Sequence, residues 1–407
     1  MVPPFGRSRA YQPKDLYMLP LYNGNAAAFV EKKRIISTVV PFSASMNLAL
    51  TALLLIQDPS KELQREDVIA KVDRAKVEAA IKKGVEHLYW RVDNNALKPF
   101  DYQGEKQRYD DLVLLALVHA GANPNDPQFQ KVLKNCLDGG LERTYSVSCQ
   151  AMALVKLDKA RYQWRIAQCA QFLVDNQCPN GTWNYGDPVA VDHIKPPARP
   201  PKPGTKALDR IIIRKRGEGP KFGDNSNSQY AAMGLRAAHE AEIGLPHETV
   251  KAAADWWDKS QNDDGGWGYG AAGKDSYGSM TAGGMASLSS LVHMLGSAPR
   301  FDPRLARARK WIAERFTVSD NPKFTMNPKD NHLYYWLYAL ERAGTLYGTE
   351  LFGEHLWYPE GAKLILDQQK TNGSWNNYAV DTCFAILFLR RATDDFRPPV
   401  ATGDKQK

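Results

Sequence analysis

The sequence predicts an all-α protein, an α6/α6 toroid in which six buried helices are ringed by six amphipathic ones. Three observations lead there: a turn pattern repeated at one spacing, two alternating kinds of helical hydrophobic pattern, and a last helix pair as apolar as the middle ones. The turn pattern reads Gln177-x-x-x-Gly181-x-Trp183, Gln261-x-x-x-Gly265-x-Trp267 and Gln369-x-x-x-Gly373-x-Trp375. Each copy ends one helix-like run and precedes another, so it marks the joint inside a repeated helix pair. The glycines are expected to take the positive φ that closes a helix C-terminus, and each Trp to lie over the joint between neighbouring helices. Each Gln offers a donor and an acceptor to exposed helix ends.

In chain order, residues 1–60 form a leader. Its first 31 residues are rich in Pro, Gly, Tyr and Asn, and Lys32-Lys33-Arg34 then precedes 22 uncharged residues, Ile35 to Ile56. Basic residues before an apolar stretch have the pattern of an export signal or signal anchor, with Met46 as an alternative start. The expectation is an exported or periplasmic protein, which the same segment could tie to a membrane. Ser, Thr and Pro dilute the run and no small-x-small cleavage site follows it, so an ordinary leader is the competing reading.

The toroid domain is expected over residues 74–392. Its outer helices read as Arg74–Val92, Asp126–Gly139, Lys159–Asn176, His247–Ser260, Asp302–Phe316 and Pro359–Gln369. In each, charged and apolar residues alternate at helical spacing, as in VKAAADWWDKSQ, so one face of each should meet solvent. The inner helices read as Tyr109–Ala120, Tyr145–Leu157, Asn227–Glu242, Tyr277–Leu295, Asn331–Ala343 and Tyr378–Ala392, apolar nearly all round and rich in Ala and Gly. Helices of that kind are buried and approach one another closely. A linear solenoid is the structural competitor; closure is favoured because the last pair carries no polar capping face. Residues 393–407 read as a disordered tail.

One insertion departs from the minimal repeat, at 187–224. Six prolines from Pro188 to Pro203 break regular structure, and Ile211 to Ile213 with Arg214-Lys215-Arg216 form a short apolar-basic stretch. Nine basic residues between Lys195 and Lys221 face only Asp209 and Glu218, which supplies nearly all of the net charge of +8. The insert is read as a lid over the central cavity, as a basic arm for a protein partner or anionic surface, or as a solvated loop. It carries almost no stacking aromatics, which argues against nucleic acid. The mean hydropathy of -0.47 excludes a polytopic membrane protein. Five scattered cysteines (Cys136, Cys149, Cys169, Cys178, Cys383) show no metal-type spacing and read as buried small hydrophobes.

The repeated turns, followed by inner helices such as YGSMTAGGMASLSSL and YAVDTCFAILFLRRA, resemble the prenyltransferase and squalene-cyclase repeat superfamily, over about residues 74–392. GDNSNSQYAAMGLRAAHEAEIG, with QNDDGGWGYG and YGSMTAGG, is similar to exported repeat proteins of planctomycete bacteria. The resemblance implies the toroid and transfers no reaction. Cyclases that protonate an alkene need Asp-x-Asp-Asp, because a neighbour must keep the acid protonated in a dry cavity; here only Asp381-Thr382 stands at that place. Diphosphate-ionising synthases need Asp-Asp-x-x-Asp for magnesium, and Asp110-Asp111 stops after the pair. Protein prenyltransferases bind zinc with Asp-x-Cys and a later His; Asp381-Thr382-Cys383 matches the first half, and no His follows His355. No cofactor is therefore expected, neither zinc nor magnesium. The Cys-Gly-Glu-Gln of thioester toroids is absent.

What remains is a ring of polar residues at the starts of the inner helices. The candidate catalytic groups are Asp381, Asp110 and Asp111, and the candidate cavity-mouth residues are Ser148, Asn225, Ser228, Gln229, Ser279, Thr281, His332, Thr382 and Cys383. Helix N-termini present free N–H groups at such a mouth, although Asp, Ser and Asn are also ordinary N-caps. Three functions are open: an isoprenoid or other apolar ligand held in a central cavity, a non-enzymatic exported scaffold for protein partners, or a carbohydrate-active barrel. The last needs two carboxylates across a groove, for which Asp110 or Asp111 opposite Asp381 is the nominee. Asp263-Asp264, His239 and His247 read as loop or helix-end residues.

Overall fold

The computed structural model describes residues 65–396, apart from 98–99, 103–104, 108, 200, 203–204, 206–207, 271–274 and 326–330, and at 100–102 and 105–107 it describes the backbone alone. The leader expected at 1–60 and the end of the tail lie outside the described residues. A short helix α1 (Arg65–Ile69) precedes six outer–inner pairs. The outer helices are α2 (Arg74–Asp93), α4 (Pro127–Asp138), α6 (Gln163–Asp175), α8 (His247–Lys259), α10 (Pro303–Glu314) and α12 (Trp357–Gln368). Their inner partners are α3 (Asp110–Ala120), α5 (Thr144–Asp158), α7 (Asn225–Glu240), α9 (Gly278–Met294), α11 (Leu333–Tyr347) and α13 (Ala379–Arg390). Each inner helix packs against the next, and α13 packs against α3. The ring is therefore closed. Among the described residues, strands are confined to three two-stranded pieces: β1 (Phe100–Tyr102) with β2 (Glu105–Gln107), β3 (Ile211–Ile212) with β4 (Ile243–Gly244), and β5 (Leu351–Phe352) with β6 (His355–Leu356).

The repeated turns hold neighbouring pairs together. Gln177 Nε2 donates to Thr249 O at 2.9 Å, Gln261 Nε2 to Arg304 O at 2.9 Å, and Gln369 Nε2 to Ala80 O at 2.8 Å. Each bond reaches from the end of one outer helix to the first half of the following one, and the third joins the last pair to the first. Trp183, Trp267 and Trp375 are fully buried and donate through Nε1 to Leu173, Trp257 and Ile365 of their own outer helices, at 2.7, 2.9 and 2.7 Å. The glycines differ from expectation. They do not cap the helix but close a tight turn beyond it, as where Gly181 N donates to Cys178 O at 2.9 Å with φ +89. A side chain on Gly181 would meet the backbone of Ala252 on α8. Left-handed backbone and close approach both demand glycine there.

The inner helices are buried as their composition requires; on α9 every residue from Gly278 to Val292 is enclosed. Among the outer helices α6 departs from the expected amphipathic pattern, with every residue from Arg165 to Asp175 buried. The insert covers it. Gln168 Nε2 donates to Ile194 O at 2.7 Å, Gln171 Nε2 to Arg214 O at 2.8 Å, and Asp175 Oδ1 accepts from Arg216 N at 2.6 Å. Ile213 N bonds Gly244 O at 2.8 Å, beyond the far end of α7. The insert is a strap down the outer wall, not a lid over the mouth, and its bonds along α6 correct the reading of a plain solvated loop. The tail also differs at its start: Thr393, Asp394 and Phe396 pack across the end of the ring through Glu341, Lys156 and His293.

Candidate functional site

Most of the polar residues at the inner-helix starts are committed to the wall. Ser228, Thr281 and Thr382 each occupy the fourth position of their helix and accept the backbone N–H of the Trp in the repeated turn, at 3.0, 3.1 and 3.2 Å from Trp183, Trp267 and Trp375. Ser228 and Thr382 also donate back to the carbonyl four residues earlier, at 2.7 and 2.8 Å. Asn225 donates to Gly268 O and accepts from Trp256 Nε1, at 2.8 and 2.7 Å. Ser279 is paired with the side chain of Asn321. Ser148 is fully enclosed where Gly234 of α7 presses on α5. His332, 7% exposed with φ +53, stands against Phe324.

The three carboxylates are likewise bonded to neighbouring side chains. Asp110 accepts from Asn135 Nδ2 on α4 at 2.8 Å. Asp111 accepts from Gln150 Nε2 at 2.7 Å, and Gln150 in turn accepts from Arg165 Nε of α6 at 2.6 Å. Burial pushes the Asp111 carboxyl up to about 6, opposed first by the Gln150 bond. Asp381 is fully buried and accepts from Asn376 Nδ2 of its own turn at 2.9 Å. The pair nominated for glycoside cleavage thus belongs to separate networks in the wall. Cys383 is buried as a free thiol, pushed well above its usual range by burial. Among the described residues no group of His, Cys, Asp and Glu gathers that could hold a metal ion.

The axis is occupied by another set, of which only Gln229 was singled out by sequence. Gln229 Nε2 donates to Tyr335 Oη at 2.6 Å, and its Oε1 accepts from Arg342 Nη2 at 2.9 Å. These bonds cross from α7 to α11, over the intervening α9. Tyr145 and Tyr335 both bond the Ser226 hydroxyl. Tyr230 stacks near Tyr145 and Tyr335, with ring centroids 4.5 and 6.2 Å away, and Phe384 of α13 lies 5.7 Å from Tyr335. Tyr145 and Tyr335 keep part of their surface accessible, yet burial raises both phenols. Tyr109 and Tyr378, hydroxyl to hydroxyl at 2.5 Å, form a second aromatic pair where α3 and α13 begin. The sequence signal is a Tyr at or next to the start of four inner helices (Tyr109, Tyr145, Tyr277, Tyr378), which stands beside the more familiar capping residue types.

No protein-family profile matches the chain. No curated protein sequence matches it either. Among solved structures it is similar to a variant of the type II terpene cyclase MstE from Scytonema, in complex with its substrate geranylgeranyl dihydroxybenzoate. The two share 13% identity over 78% of this chain and 97% of that one, with a TM-score of 0.50. The chain has a terpene-cyclase-like α/α-toroid fold. An inactive variant of the α-1,6-mannanase GH76A of Salegentibacter sp., in complex with α-1,6-mannotriose, is also similar, at 8% identity over 78% of this chain and 98% of that one, with a TM-score of 0.49. At these identities the likeness is one of fold.

Proposed function

We propose that this toroid is a binding protein for an apolar or amphipathic small molecule, which lies against the tyrosines at the mouth of the ring and undergoes no covalent change. The observation that carries this reading is the division of labour between axis and wall. Tyr145, Tyr230, Tyr335 and Phe384 face the centre, while Asp110, Asp111 and Asp381 are bonded into the wall. Aromatic surfaces with a few hydroxyls suit a ligand that is mainly apolar. Alkene protonation needs a carboxylic acid aimed into the cavity, and glycoside cleavage needs two carboxyls across a groove. The similar cyclase MstE is in complex with a geranylgeranyl compound, which makes isoprenoid chains the first class to try.

A second reading concerns the strap. Lys195, Arg199, Lys202, Arg210, Arg214 and Arg216 all stand exposed on it, which favours contact with a protein partner or an anionic surface. Export through the leader fits either use.

Native mass spectrometry with solvent extraction of the purified chain tests the first reading. An apolar compound is expected to co-purify, and to fall at least about tenfold in a Tyr145→Ala, Tyr335→Ala variant, as expected when two central aromatic contacts are lost. Asp110→Asn and Asp381→Asn should retain it. Conversion of an added geranylgeranyl compound to a new product, abolished by Asp381→Asn, would overturn the proposal in favour of a cyclase.

A further inference from the structure

The inner helices finish around a second cavity, distinct from the tyrosine mouth. Its volume is ≈ 60 Å³. That holds a few waters or one small ion. The walls come from α3, α5, α7 and α11, and residues 392–394 close it from below. Three cations line it (Lys156, Arg236 and Arg342) against two carboxylates, Glu240 and Asp394. Lys156 Nζ lies 3.1 Å from Asp394 and Arg236 Nη2 lies 2.8 Å from Glu240, so two of the cations are matched.

Arg342 has no ion pair among the described residues. It is 1% exposed and lies over the rings of Tyr230 and Tyr338, at 5.1 and 4.5 Å from their centroids. Its Nη2 donates to Gln229, but Nε and Nη1 have no acceptor among the described residues, and neither has Nε of Arg236. Glu341, beside it in the chain, attracts Arg342 through space, but its oxygens are bonded by Thr393 N and Thr393 Oγ1 and give the idle N–H groups no acceptor. A guanidinium cannot escape its charge by losing a proton, so burial without acceptors penalises the empty site. His119 adds a ring without adding charge, because burial followed by Lys156 lowers its pKa to about 4.

We propose that this cavity is a site for one small oxyanion, a phosphate or a carboxylate, with Arg342 as its main donor. A charge-assisted bond from a desolvated Arg to an anionic oxygen satisfies the idle N–H groups. Arg342 also bonds Gln229 and lies over Tyr230 of the mouth, so the two sites share a wall, and the test of this one uses different probes.

The full chain is titrated with sodium phosphate and, separately, sodium acetate, at an ionic strength held constant with sodium chloride. Calorimetry and thermal unfolding are followed. One of the anions is expected to give a saturable one-to-one heat and to raise Tm by roughly 3 °C at a hundredfold excess over Kd. Arg342→Met should remove both responses. Saturation by phosphate alone supports a phosphate site, and saturation by acetate alone a carboxylate site. A selenate soak of wild-type crystals gives a reading that does not depend on the variant folding: an anomalous peak is expected beside Arg342. No saturable heat with either anion, an unchanged response in Arg342→Met, or a selenate peak only elsewhere overturns the proposal.

Discussion

Asp111 shows what a buried carboxylate does to this fold. Its folded pKa, about 6, lies above the value near 3.9 expected of an unfolded Asp, so the folded state holds a proton that the unfolded state has released between those values. Below about pH 4 both states are protonated and Asp111 is neutral in the balance. As pH rises from about 4 to about 6 stability falls, and above 6 the ionised side chain costs the fold about 2–3 kcal/mol. Asn at this position keeps an acceptor for Gln150 and carries no charge. Asp111→Asn is expected to flatten the pH dependence of stability between pH 4 and 6 and to be the more stable protein at pH 8. Urea denaturation across that range checks it, and parallel curves for the two proteins would refute it. The residue scale is also where the sequence was least legible. Ser228, Thr281 and Thr382 look like mouth residues because Ser and Thr are common near helix starts. Their true partner, the Trp N–H, was readable only in register: the three repeats that carry the Trp turn have Ser or Thr at the fourth helical position, whereas the others have Val113, Val147 and Trp336 there.

Helices, by contrast, were legible almost to their ends, because the apolar period and the turn residues agree along the whole domain. The exception in character is α6. Three of its five polar positions are glutamines (Gln163, Gln168 and Gln171, beside Arg165 and Asp175), where the exposed outer helices carry mostly Lys, Arg, Asp and Glu. A buried glutamine needs acceptors for its amide N–H groups, and the strap supplies carbonyls from Asp209, Ile194 and Arg214. A helix whose polar face is amide-rich was thus a sign of a covering segment that charge patterning alone could not give. The strap should matter unevenly. Ile213 is 3% exposed, whereas Pro196 to Arg199 are exposed throughout. Ile213→Asp buries an unpaired charge and is expected to cost about 3 kcal/mol or more. Replacing residues 196–199 with Gly and Ser should leave Tm within about 1 °C, as for other exposed loop changes. Thermal unfolding with limited proteolysis distinguishes them. Equal effects from both changes would mean that the strap does not hold α6.

Closure is the property of the whole molecule on which the axis depends. The aromatic cluster on the axis draws on α5, α7, α11 and α13, and residues as distant as Tyr109 and Tyr378 meet only because the last pair returns to the first. That return is built from Gln369 to Ala80, from Arg390 donating twice to Glu78 at 2.6 and 2.8 Å, and from Arg65 facing Asp395 at 3.8 Å. Exposed ion pairs contribute little. The bond from Gln369 repeats those of Gln177 and Gln261, so the seam between α12 and α2 is made like the joints inside the ring. A molecule without a weak seam should tolerate being opened elsewhere. A circular permutant joining Phe396 to Arg65 through a short Gly-Ser linker, with new ends between Ser297 and Ala298, is expected to keep one unfolding transition and a Tm within a few degrees, since both new ends are exposed. Calorimetry and circular dichroism read the result. Two separated transitions, or loss of the α11 to α13 half while the rest stays folded, would show that the chain behaves as an open stack, and the central aromatic cluster would lose its basis with it.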